Sequence, residues 1–148
     1  SGIEDKGLSS LGKYVIRMNK SCGDNKPIFM ALQAFAWGDS TGKKVLYPTF
    51  NELRFMTYDC ITSGGIGASY WGSQGIKNPA FYNNVLYPVS RELMQVSGIL
   101  TADKVANVKA SDKNIHLFAR EIDGKNYVAP IITAFMLYLA VQCIMGIM

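Results

Sequence analysis

The chain of 148 residues has the length of one domain, and its 49% hydrophobic content suits a globular core, while 18% charged is low. Net charge is +4, from 15 basic and 11 acidic residues, and Lys43-Lys44 is the only adjacent basic pair, which argues against nucleic-acid binding. The three cysteines, Cys22, Cys60 and Cys143, lie far apart and the sole histidine, His116, has no neighbouring ligand in sequence, so neither zinc nor another cofactor is expected.

Leu8 to Cys22 places Leu8, Leu11, Val15, Ile16 and Met18 at partly helical spacing and predicts a helix, stopped by Gly23-Asp24-Asn25. Pro27 to Trp37 follows, apolar on both alternating faces apart from Gln33, the pattern of a strand buried on both sides in a parallel sheet. The polar, glycine-bearing stretch from Gly38 to Lys44 then makes a connection longer than the usual ~2–6 residues, which favours a functional loop.

Thr49 and Glu52 have the spacing of a capping box and open a second helix. Its stripe is Leu53, Met56, Cys60 and Ile61, on which Cys60 reads as a small buried hydrophobe, and Gly64-Gly65 ends it. Ile66 to Trp71 is the next strand. The result is a βαβ unit, whose function is expected where the strands end.

Asn78-Pro79 sets a cap and a proline at the start of a third helix, with Phe81, Val85, Leu86, Val89, Leu93 and Met94 on its apolar face. Pro88 predicts a kink, and Gly98 the end. Beyond Lys104 the period changes: Val105–Ala110, Ile115–Ile122 and Lys125–Val128 read as strands, the last two joined by an Asp123-Gly124 turn. A boundary is therefore expected near residue 101. Ala129 to Met148 is an apolar run long enough to span a bilayer; a buried segment, or a tail foreign to the parent fold, are the alternatives.

The candidate site lies at the carboxyl ends of the two parallel strands. Gln33, Trp37 and Asp39 stand on or after the first, and Tyr70, Trp71, Ser73 and Gln74 on or after the second. Two tryptophans and a tyrosine at one rim suit stacking on the C–H faces of sugar rings, with amides and hydroxyls to hold sugar hydroxyls; the other reading is that Trp37 and Trp71 cap the core. Gln33, an amide in an apolar strand, must find partners and is expected to face a ligand cavity. Substrate binding is accordingly assigned to Gln33, Trp37, Asp39, Tyr70 and Trp71.

Catalytic residues are left unassigned. Asp39 is the only carboxylate near the rim, since Glu52 serves the capping box and Asp59 lies within a helix, whereas glycoside hydrolysis ordinarily uses two. Gly38 to Lys44 lacks the spacing of a phosphate loop, and Gly64-Gly-Ile-Gly-Ala-Ser69 precedes a strand instead of opening a helix, so it is no dinucleotide fingerprint.

Three segments together carry a family resemblance: Leu32-Gln-Ala-Phe-Ala-Trp37, Tyr47-Pro-Thr-Phe-Asn-Glu-Leu-Arg-Phe-Met-Thr-Tyr58 and Gly64-Gly-Ile-Gly-Ala-Ser-Tyr-Trp-Gly-Ser73. With Leu86-Tyr-Pro-Val-Ser-Arg-Glu-Leu93, they resemble the final units of bacterial glycoside-hydrolase-like (β/α)8 barrels, over roughly residues 8–128. The resemblance implies strand 7, helix 7, strand 8 and helix 8 of such a barrel, followed by a small β-sandwich. The fold expectation is α/β: a partial TIM barrel, its last two βα units with a preceding helix, then a short antiparallel β region.

The implied domains are 1–100 for the barrel part, 101–128 for the start of the β-rich domain and 129–148 for the apolar tail. A full barrel takes about 250 residues, so the chain is expected to be a fragment or truncated product, binding carbohydrate through part of a site and inactive by itself. The alternative is a small α/β binding or interaction module tethered to a membrane by residues 129–148.

Overall fold

A computed structural model describes residues 7–8, 10–23, 26–36, 38, 42, 45–72, 75–105, 108–112 and 115–132. The protein is mixed α/β; the described residues form short helices and two small sheets, and no closed barrel. Two compact units divide the chain, residues 1–92 and 93–148.

The first unit begins with α1 (Ser10–Cys22) and β1 (Phe29–Gln33), followed by α2 (Phe50–Thr62) and β2 (Gly67–Trp71). β1 and β2 pair in parallel, from Phe29 opposite Gly67 to Gln33 opposite Trp71. The expected βαβ unit is present. Thr49 caps α2 as the spacing predicts: its amide donates to Glu52 Oε2 at 2.7 Å, and the Glu52 amide donates to Thr49 Oγ1 at 3.2 Å. Gly64, at φ 101°, ends the helix in a conformation that a side chain would disfavour.

α2 is the centre of this unit, buried along Leu53, Phe55, Thr57, Tyr58, Asp59 and Cys60. Three directions account for so broad a buried surface. Thr57 and Cys60 turn to the sheet, where Thr57 Oγ1 and the Tyr70 hydroxyl lie 3.1 Å apart. Asp59 turns to α1, and its carboxylate accepts the Gly12 amide at 2.7 Å. Arg54 and Tyr58 turn to Glu92, with the guanidinium Nε within 2.9 Å of both carboxylate oxygens. The core beside the sheet is Val15, Ile28 and Cys60, with Leu11 and Met30 packed on it.

The expectation that the first strand is buried on both faces is not met. Met30, Leu32, Ala68 and Tyr70 lie on the helix side, but Phe29, Ala31, Ser69 and Trp71 on the other side are exposed. Phe29 is 63% and Trp71 65% exposed. The reason is architectural: α1 and α2 make the helix layer on one face, and no described element of this unit covers the other. An apolar strand pattern records what a face is made of; it does not supply the layer that buries it.

After β2, Asn78 caps a short α3 (Pro79–Phe81), its Oδ1 accepting the Ala80 amide at 3.1 Å. The chain widens into a π-helical turn (Tyr82–Leu86) before α4 (Tyr87–Gln95). The predicted kink at Pro88 takes this form. Proline has no amide to donate and its ring crowds the preceding turn, and the wider π turn absorbs that mismatch without stopping the helix.

In the second unit, α5 (Ser97–Thr101) continues past Gly98, so the helix end expected there is displaced. β3 is only Asp103–Lys104; it pairs antiparallel with β4 (Ile115–Ile122), which pairs in turn with β5 (Lys125–Ile132). The strand predicted over Val105–Ala110 is absent at its described positions. The hairpin turn is as expected: Asp123 and Gly124 have φ 51° and 72°, the paired left-handed conformation of a type I′ turn.

Among the described residues β5 is an edge strand, and Pro130 blunts that edge. Counting alternately from the Ile122–Lys125 closing pair, Pro130 opposite Leu117 falls at a non-hydrogen-bonded position, so its nitrogen faces away from β4 and offers no donor to a further strand. Ala129 to Ile132, the first residues of the apolar run, belong to this strand. Residues 133–148 lie outside the described residues, among which no helix is long and apolar enough to cross a membrane.

Candidate functional site

Of the five residues assigned to substrate binding, the strand pair brings two together. Gln33 is the last residue of β1 and Trp71 the last of β2, and they are direct register partners at the carboxyl end of the sheet. Side chains of register partners share a face, so both belong to the open side. Tyr70, one position back, points to the helix side, where its hydroxyl meets Thr57. Burial is the leading cause of the rise in its pKa, which keeps the phenol protonated. Trp37 and Asp39 lie outside the described residues.

Gln33 is half-buried and satisfies part of its amide locally: Nε2 donates to the Phe35 carbonyl at 2.9 Å. That carbonyl is held close to the end of β2. The Ala34 amide donates to the Trp71 carbonyl at 3.1 Å, extending the pairing past Gln33. The Phe35 ring then lies over Gly72, where a Cβ would come within 2.7 Å of Phe35 Cδ1; Gly72 itself has φ 78°. Glycine is required there twice over, by space and by backbone conformation. At the other end of the pair the Phe29 ring lies over Gly67, whose hypothetical Cβ would be 2.5 Å from Phe29 Cε1.

The open face therefore carries Phe29, Ala31 and Gln33 from one strand and Gly67, Ser69 and Trp71 from the other. Its chemistry is aromatic and neutral, with an amide and a hydroxyl as the polar groups. Such a surface can stack a ring and hydrogen-bond its substituents; it holds no described group for proton transfer or nucleophilic attack.

The carboxylates described in this unit are committed elsewhere. Glu52 completes the capping box, Asp59 receives the Gly12 amide and Glu92 receives Arg54 and Tyr58. Burial, with the hydrogen bond to Glu92 second, raises the Tyr58 pKa well above the usual phenol range. Burial likewise pushes the Cys60 thiol up to about 11, which makes it a packed hydrophobe and not a nucleophile. Among the described residues no group of three or more His, Cys, Asp or Glu side chains is gathered to hold a metal ion.

Sequence reasoning missed the Asp59–Gly12 contact, the Arg54–Tyr58–Glu92 cluster and the stacking of Phe35 on Gly72. No local signal marked the first, since Gly12 and Asp59 lie 47 positions apart. Comparison with protein-family models, with curated proteins and with solved structures returned no match.

Proposed function

We propose that this chain supplies the last two βα units of a glycoside-hydrolase-like (β/α)8 barrel and, with them, part of a carbohydrate-binding site. The observation that carries the reading is the pairing of Gln33 with Trp71 at the carboxyl ends of adjacent parallel strands, the end at which such barrels bind their ligands. The open aromatic face supports it as well. In a barrel, that face is packed by inward side chains of the other strands, and parallel strands normally have both faces covered.

The contribution is binding, not bond cleavage. Each described carboxylate of the first unit has a structural partner, so none remains for the acid and base or nucleophile of glycoside hydrolysis. On this reading the chain alone is expected to release no sugar. The test is native electrophoresis of the full chain through gels containing xylan, mixed-linkage glucan, galactomannan or pullulan, with a reducing-end assay run beside it. The reading predicts retardation in at least one gel, loss of that retardation in Trp71→Ala and no release of reducing ends. Equal mobility in every gel overturns it.

A further inference from the structure

The orientation of the Gln33 amide can be read from its partner. The Phe35 carbonyl can only accept, so the group 2.9 Å from it must be the NH2. Oε1 is then left as an acceptor, and it has no hydrogen-bond partner among the described residues. The adjacent Trp71 is 65% exposed, and its indole N–H is likewise without a partner there. A fixed acceptor therefore stands beside an exposed aromatic plane bearing a donor, on register-paired residues of one sheet face.

We propose that Gln33 and Trp71 act as one recognition unit for a hydroxyl-bearing, saturated ring. The indole stacks against the C–H face of the ring, and Oε1 accepts the proton of a hydroxyl at its edge. Phe35 and Gly72 are positioning residues for that unit. The Phe35 ring can lie where it does only because residue 72 has no side chain, and the Phe35 carbonyl in turn holds the amide by its NH2, leaving the oxygen as the acceptor. The ligand class follows from the chemistry: a hydroxyl both donates and accepts, so it can use Oε1 and the indole N–H, while an aliphatic ring face suits the indole plane. The inference rests on the carbohydrate reading above and sharpens it, assigning the polar contact to Gln33 and its geometry to Gly72.

The experiment is isothermal titration of the full chain with xylotetraose, cellotetraose, mannotetraose and maltotetraose, with circular dichroism on every variant. At least one tetraose should bind. Gln33→Met keeps the side-chain volume but removes the acceptor, and should weaken binding about tenfold, as loss of one hydrogen bond does. Gly72→Ala should match that loss and add nothing further to Gln33→Met, since both act through one acceptor. Should Gly72→Ala not fold, Gln33→Met decides alone. Wild-type affinity in Gln33→Met, with binding lost in Trp71→Ala, overturns the recognition unit and leaves the carbohydrate reading standing. Failure of the wild-type chain to bind any tetraose and to be slowed by any of the four gels overturns both.

Discussion

The amide of Gly12, in the first turn of α1, donates to the carboxylate of Asp59 in α2 at 2.7 Å, and Asp59 is completely buried. The first turn of a helix has amides without intrahelical acceptors and the positive end of the helix dipole. Here the cap comes from another helix, 47 positions along the chain. The contact also explains the glycine: a Cβ on residue 12 would lie 2.4 Å from Ser63 Oγ and 2.7 Å from Asp59 Oδ1.

The first prediction inverts an ordinary rule. Gly→Ala within a helix normally stabilises by about 1 kcal/mol. Gly12→Ala should instead destabilise by about 1–3 kcal/mol, because the methyl group forces α1 away from α2. Asp59→Ala should cost a similar ~1.5–3 kcal/mol through loss of a charge-assisted hydrogen bond. Urea unfolding of each variant checks both, and a stabilised Gly12→Ala would contradict the close approach of the helices.

A second prediction concerns Arg54, Tyr58 and Glu92. Arg54 meets Glu92 through two-pronged contacts, with an Nη2–Oε1 distance of 2.7 Å, and both side chains are largely sheltered. The pair also shares Tyr58, whose hydroxyl donates to Glu92 Oε1 at 2.9 Å. A double-mutant cycle on Arg54→Met and Glu92→Gln should give a coupling energy of about 1 kcal/mol or more, above the value typical of exposed pairs. Additive single-variant losses would show that the pair contributes packing only.

Alkaline pH should weaken the fold. Tyr58, Tyr70 and Cys60 all have raised pKa values, chiefly through burial. The folded chain thus keeps protons that the unfolded chain releases from about pH 9 upward. With fewer protons on the unfolded state, stability falls as pH rises. It is fully present below the ordinary thiol and phenol values and is lost progressively above them, for Cys60 up to about 11. Urea midpoints measured from pH 7 to 10.5 should decline beyond pH 9, and less steeply in Tyr58→Phe combined with Cys60→Ala. A midpoint independent of pH over that range would contradict the burial of these groups.

Thiol accessibility gives a fourth prediction. Cys22 is exposed and Cys60 is buried. Under native conditions at pH 8, iodoacetamide should modify the Cys22 peptide well before the Cys60 peptide, and mass spectrometry of timed digests distinguishes them. Equal rates would mean that the layer of α2 against the sheet opens readily.

What could be read in the chain was mostly local. The Thr49–Glu52 box, the Asn78-Pro79 helix start and the Asp123-Gly124 turn each depend on residues within a few positions, and the structure has all three. The parallel pairing of β1 with β2 followed from the helix between them. Non-local facts were not legible. The apolar pattern at Phe29 and Ala31 could not say that their face would be left open, and Asp59 in a helix gave no sign that its partner was Gly12. Val105–Ala110 had strand-like composition, but β3 pairs through Asp103 and Lys104, and the Val105 amide adds a bond to Ala119. At the rim, sequence placed Trp71 at a strand end but Gln33 inside a strand running on to Trp37; β1 stops at Gln33, and the face shared with Trp71 emerged only from the register. Tyr70 shows the converse: one step along the strand puts it on the other face.

The most direct test of the account is the indole N–H resonance of Trp71 in a two-dimensional 15N–1H spectrum of the full chain, assigned by its loss in Trp71→Phe. Titration with the four tetraoses should move that resonance saturably with at least one of them, and the Gln33 side-chain amide pair should move along the same curve. A tetraose that binds the chain while both resonances stay in place, or a set of four that moves neither, would contradict a carbohydrate site at the Gln33–Trp71 rim.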